Sequence, residues 1–200
     1  MTTGTYRTIA APARARFEVR GSEFVGEIAP AERVEAAEAF VERVANEYDD
    51  ASHAVPAYRV RADPLREWSN DDGEPSGSAG KPALNVLQGE ELENVVCVVV
   101  RYFGGTKLGY GGLVRAYGRA VREAIAAAEV VEERPHTRLA VETAYDDSGT
   151  VRGIVESAGY EFDAEYGERV VLSVRVPVEE TEAFVDRLND ATSGRVDLDG

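Results

Sequence analysis

A two-domain α+β fold is predicted by three features of the 200-residue sequence. Apolar residues recur with periods of both two and 3.6, so strands and helices alternate along the chain. The run Val95-Val96-Cys97-Val98-Val99-Val100 is apolar without interruption, which asks for a strand covered on both faces. After Pro135 the strand-helix pattern begins again, dividing the chain into an N-terminal α/β two-layer domain, residues 1–134, and a smaller domain, residues 135–200. With 44% hydrophobic residues each part can bury a core, which excludes a disordered chain.

Residues 14–28 alternate apolar and polar side chains around Gly21-Ser22, through Phe17, Val19, Phe24, Val25 and Ile28, and predict a hairpin. Pro30 leads into a helix in which Val34, Ala37, Val41, Val44 and Tyr48 follow at three- and four-residue steps, with Glu32, Glu35, Glu38, Glu42 and Arg43 on the wet side. Residues 53–60 read as a strand. The stretch from Asp63 to Gly80 is rich in Pro, Gly, Ser, Asp and Asn and reads as a long loop anchored by Trp68. Pro82 fits the first turn of a short helix ending at Gln88, and Val95–Tyr102 is the expected central strand. A second strong helix follows and buries Leu113, Tyr117, Ala120 or Val121, Ala124 and Ala128. Residues 129–136 read as a hinge. Beyond it come a strand at 138–145, a helix near 149–158, a hairpin across 160–176, a helix at 179–190 and a final short strand. This β-α-β-β-α-β order is the ferredoxin-like arrangement.

The 37 Asp and Glu residues against 22 Lys and Arg leave a net charge of -15, which argues against a protein that coats polyanions over its whole surface. Only Lys81 and Lys107 are lysines. Excess carboxylate with almost no Lys resembles the cytosolic proteins of salt-accumulating halophiles, so much of the charge reads as adaptation to strong salt. It is unevenly placed: 16 basic and 22 acidic residues precede Pro135, whereas 6 and 15 follow it, giving nets of -6 and -9. The smaller domain is thus the more acidic per residue. Cys97, the single cysteine, reads as an inert core residue. No stretch approaches the roughly 18 apolar residues of a membrane span, and the N-terminus lacks a signal-peptide pattern, so a cytoplasmic protein is expected.

Against that acidic background, residues 95–122 hold Arg101, Lys107, Arg115, Arg119 and Arg122 and no Asp or Glu. Arg115, Arg119 and Arg122 are spaced four and three apart and project from one side of the predicted helix. The glycines Gly104, Gly105, Gly109, Gly111 and Gly112 stand before and at its start, where bare backbone N–H groups and the helix dipole favour an anion. Two readings fit: a phosphate site, or glycines serving sharp turns and arginines paired with acids elsewhere. Tyr102, Phe103 and Tyr110 likewise fit either base stacking or packing. In strong salt the screening length falls to about 3 Å, so nucleic-acid binding would rest on contact hydrogen bonds and stacking.

A second candidate is the loop carrying Asp71, Asp72, Gly73, Glu74, Ser78, Gly80 and Lys81. Three carboxylates could serve a divalent ion or a general base, while Asp-Gly is also an ordinary turn signal. Gly80-Lys81 is no Walker loop, because Pro75 stands where its first glycine belongs and Pro82 where Ser or Thr would hold magnesium. Gly109-x-Gly111 fails as a dinucleotide fingerprint at Val114. His53 and His136 are the only histidines and no nucleophile elbow surrounds any serine, so no catalytic residue, metal or cofactor is expected.

Two blocks, residues 69–82 and residues 98–117, closely resemble the signature of the IMPACT/YigZ family, and Ala51-Ser52-His53 resembles its histidine-containing strand entry, with Ala54 where a second histidine is frequent. The resemblance is strong over residues 14–130 and continues as layout beyond. It implies a first domain similar to the second domain of the fifth small-subunit ribosomal protein, and a second similar to the C-terminal domains of elongation factor G. Both of those touch ribosomal RNA, and eukaryotic family members regulate translation through a further N-terminal module absent here. The leading expectation is a non-catalytic RNA- or ribosome-associated protein in translation regulation. Arg101, Lys107, Arg115, Arg119, Arg122 and the glycines of 104–112 would contact phosphate. The alternatives are a phosphate- or nucleotide-binding enzyme using Ser78 and Lys81, by analogy with small-molecule kinases, and an adaptor that docks a protein partner on the acidic second domain.

Overall fold

The computed structural model describes residues 4–62 and 64–199. Tyr6–Glu133 form one compact unit and the residues from Arg134 onward another.

In the larger unit, β1 (Tyr6–Ile9), β2 (Ala13–Val19), β3 (Ser22–Pro30), α1 (Val34–Glu47), β4 (His53–Val60), β5 (Arg66–Ser69), α2 (Gly80–Gly89), β6 (Val95–Tyr102), α3 (Tyr110–Ala127) and β7 (Val130–Glu133) follow in order. Five strands build an antiparallel sheet ordered β2-β3-β6-β4-β5, and the apolar strand β6 is central. Because side chains alternate across a strand, Val95, Cys97 and Val99 enter one core with Phe24, Leu87, Leu113 and Tyr117, beneath α2 and α3. Val96, Val98 and Val100 pack on the opposite face against Ala37, Phe40, Val41 and Val44 of α1. Each of these six β6 side chains is completely buried, and burial pushes the Cys97 thiol up to about 12. The β2–β3 hairpin closes over Arg20 and Gly21, both at positive φ, the turn whose twist matches paired strands.

Three local readings are corrected. The 129–136 stretch holds the boundary between the two units, after Glu133, but Val130–Glu133 form β7, which pairs antiparallel with β1, Tyr6 opposite Glu133 and Ile9 opposite Val130. Its partner lies some 120 residues away in the chain, beyond the reach of local patterning. Burial and the neighbouring acids push the Tyr6 phenol, which donates to the Glu133 carboxylate at 3.1 Å, up to about 12. The 63–80 loop contains β5, paired with β4 through Tyr58 opposite Trp68; Trp68 is 43% exposed, with one face on the Tyr58 ring at 5.4 Å. Pro30 closes β3 rather than opening a helix, and α1 begins at Val34.

The second unit comprises β8 (His136–Thr143), α4 (Tyr145–Ala158), β9 (Phe162–Tyr166), β10 (Val170–Pro177), α5 (Thr181–Thr192) and β11 (Asp197–Asp199), with sheet order β11-β8-β10-β9, all antiparallel. Its core joins Leu139, Val141, Leu172 and Val174 of the sheet to Val151, Val155, Phe184 and Leu188 of the helices. Here α4 starts four residues earlier than the helix predicted from residue 149. Asp146 and Asp147 favour its positive N-terminal end, while Gly149 weakens the sequence signal. Among the described residues no helix is long and apolar enough to cross a membrane.

Candidate nucleic-acid interface

The outer face of α3 carries the arginines. Arg115 and Arg119 meet Arg20 of the hairpin turn around a groove of about 230 Å³, lined otherwise by Phe17, Val19, Leu108, Gly112 and Ala116 and by no acid. The Arg119 guanidinium lies 4.0 Å from the centre of the Phe17 ring, which stacks on Phe24 at 5.3 Å and 7°, and Glu123 accepts the Arg119 Nε at 2.6 Å. Arg119 is therefore held flat by packing and pairing. Arg115 makes no ion pair among the described residues. Arg122 shares its unpaired state but leans away into a separate hollow against α2, beside Val86 and Gly118, so the predicted ladder divides.

Arg20 reaches the groove because Gly21 and Gly104 allow two loops to touch: a Cβ on Gly104 would lie 1.8 Å from the Gly21 carbonyl oxygen. Gly104 therefore serves close packing, and its N–H donates to Ser22 Oγ at 3.2 Å. Gly109 precedes α3 at φ 73, and the Leu113 N–H returns to its carbonyl at 2.9 Å. The N–H groups of Tyr110, Gly111 and Gly112 thus lie in the unpaired first turn, with no acid there. Gly105 also has positive φ, Gly112 lies against Leu108, and Lys107, Phe103 and Tyr110 are exposed on the same loop.

Arg101 does not join this surface. It is 4% exposed and pairs with the buried Glu74, whose Oε1 also accepts the Tyr117 hydroxyl at 2.8 Å and stands 3.8 Å from His53 Nε2. Burial and the Glu74 charge raise the Tyr117 phenol far above its ordinary range. This cluster joins all three sequence blocks: His53 Nδ1 contacts the Asp72 carbonyl at 2.6 Å, Asp72 Oδ2 accepts the Ala54 N–H, and the Tyr110 hydroxyl donates to the Gly77 carbonyl. It is the internal carboxylate pair that one of the two sequence readings allowed for, and it removes Arg101 from any ligand.

The acidic loop is likewise engaged internally. Asp71 accepts the N–H groups of Gly77 at 2.8 Å, Ala79 at 3.1 Å and Gly80 at 2.9 Å. Burial works to raise its pKa, but those three donors outweigh it and hold the carboxyl below its usual range. Its carboxylate thus covers the start of α2, where a kinase-like loop would present amides to phosphate. Ser78 is completely buried, Gly80 packs against the Asn70 backbone, and Gly73, at positive φ, borders His53; Lys81 is exposed. Arg20, Phe17 and Leu108 escaped the sequence reading. The Arg20-Gly21 turn was their only signal, since their meeting with α3 is tertiary.

Together these features define a class: a two-domain α+β protein whose larger domain locks one arginine inside and gathers three others around an open groove. Residues 20–125 match the Impact N-terminal domain family, and residues 141–195 match a domain of unknown function, DUF1949. The chain belongs to the IMPACT family. It is 35% identical over 192 residues to the IMPACT family member YigZ of Escherichia coli (strain K12), spanning 94% of each chain. It is 31% identical over 195 residues to YvyE of Bacillus subtilis (strain 168), spanning 97% of this chain and 90% of that one. A crystal structure described as a hypothetical protein superposes with a TM-score of 0.74 at 33% identity, over 99% of this chain and 97% of its own.

Proposed function

We propose that this protein is a non-catalytic RNA- or ribosome-associated factor in the regulation of translation, with RNA phosphate held by Arg20, Arg115 and Arg119 beside Lys107 and the open first turn of α3. The observation that carries this reading is the groove itself: three guanidinium groups and an apolar floor with no acid, on a molecule of net charge -15. Phosphate contacts suit the guanidinium groups, and the exposed Phe103 and Tyr110 rings offer stacking faces close by in sequence. The translational setting is drawn from membership of the IMPACT family, whose resemblance implies a first unit similar to the second domain of the fifth small-subunit ribosomal protein and a second similar to the C-terminal domains of elongation factor G. The second unit, more acidic, repels RNA and in this reading faces a protein component of the same machinery.

The test is co-sedimentation with ribosomes and with total RNA in concentrated KCl. The double variant R115E/R119E is expected to lose at least tenfold in association, and R122E to lose less. Unchanged association of the double variant overturns the placement.

A further inference from the structure

The opposite face of the same unit holds a second groove, of about 430 Å³, bounded by the end of α1, the start of β4 and the strand β5. Its apolar wall is Val41, Ala45, Tyr48, Pro56 and Trp68; Asp49 and Asp72 stand on its rim. Three independent observations bear on what fits it. First, Trp68 is 43% exposed although one face packs on Tyr58, so a large aromatic surface remains open to a ligand. Second, β5 is the last strand of the sheet, pairs only with β4, and no described strand covers its outer edge. The Asn70 N–H donates inward to the Pro56 carbonyl at 3.2 Å. By antiparallel alternation Trp68 also turns its backbone inward, and Glu67 and Ser69 turn theirs outward. Third, the rim is anionic: Asp49 makes no ion pair among the described residues, and neither Lys nor Arg lines the groove.

We propose that this edge is a β-augmentation site for an extended basic peptide segment of a partner protein. The peptide adds a strand along Glu67–Ser69, lays an apolar residue over Trp68 and places a Lys or Arg between Asp49 and Asp72. Main-chain bonds supply affinity, and the alternating side chains supply specificity. An RNA strand does not suit this face, because the carboxylate rim repels phosphate.

Trp68 is the only tryptophan, so its emission reports this groove alone. The probe is an eight-residue peptide of two valine-threonine-lysine-threonine repeats, which keeps valine and lysine on one face of the strand, titrated into the full chain, with the same peptide carrying glutamate in place of lysine as the charge control. Expected are a saturable blue shift with the lysine peptide and none with the glutamate peptide. Ser69→Pro removes an outward N–H and leaves the inward bonds to β4, so it should weaken binding at least tenfold with an unchanged melting temperature. Asp49→Lys should weaken it several-fold by calorimetry. No shift, an equal shift with both peptides, or undiminished binding by Ser69→Pro overturns the proposal. If Ser69→Pro lowers the melting temperature, replacing alternate residues of the peptide with N-methylated ones tests the same bonds from the other side, and undiminished binding again overturns it.

Discussion

The two faces of the five-stranded sheet share every strand and differ in almost everything they show to solvent. On one, α3 and the β2–β3 turn bring Arg20, Arg115 and Arg119 together, and Glu123 is the only acid of the helix. On the other, α1 presents Glu35, Glu38, Glu42 and Glu47 with Arg43 as its single base, above the open Trp68 edge. The sheet can serve both because β6 sends valines alternately up and down, so two helical layers are anchored on one strand without sharing a side chain. Net charge therefore describes this molecule poorly: at -15 overall, one face is cationic and its reverse strongly anionic. Where salt is high enough to shorten screening to about 3 Å, such faces act only on what touches them.

The largest expected effects come from the interior of the larger unit. Glu74→Leu leaves Arg101 buried without its carboxylate and should cost about 3–5 kcal/mol in urea unfolding, whereas Arg115→Glu on the open face should change stability by less than about 0.5 kcal/mol. Similar losses for the two would show that the α3 face is structural after all. Next in size, Asp71→Asn weakens three charge-assisted backbone bonds and should cost about 2 kcal/mol at pH 7. Since the folded carboxyl titrates below its unfolded value, its stabilisation is present above about pH 4 and is lost as pH falls through the folded pKa. The variant should therefore show a shallower loss of stability on acidification below about pH 4 than the parent; parallel curves would deny Asp71 this role. Smallest, Arg119→Ala removes a cation–π contact and one i,i+4 pair, for about 0.5–1 kcal/mol by thermal melting. Its effect on RNA association should exceed its effect on stability, and the reverse order would make Arg119 a packing residue.

Hydrophobic period was enough to show both helices flanking β6, the burial of Cys97, the hairpin at Gly21 and the strand order of the second unit along the chain, because each depends on neighbours within a few residues. It misplaced β7 and β5, short strands whose identity depends on a distant partner. The acid-free stretch 95–122 supplies Arg115 and Arg119 of the α3 groove, yet it also drew Arg101 and Arg122 into one face, since composition cannot tell a guanidinium aimed at solvent from one aimed at Glu74. Residue types and their spacing determined which elements form and which carry charge. Which charges meet one another, and which are left for a ligand, was decided only when loops separated by some 80 residues came to rest against each other, as at Gly21 and Gly104, because an ion pair is set by distance in space and not along the chain.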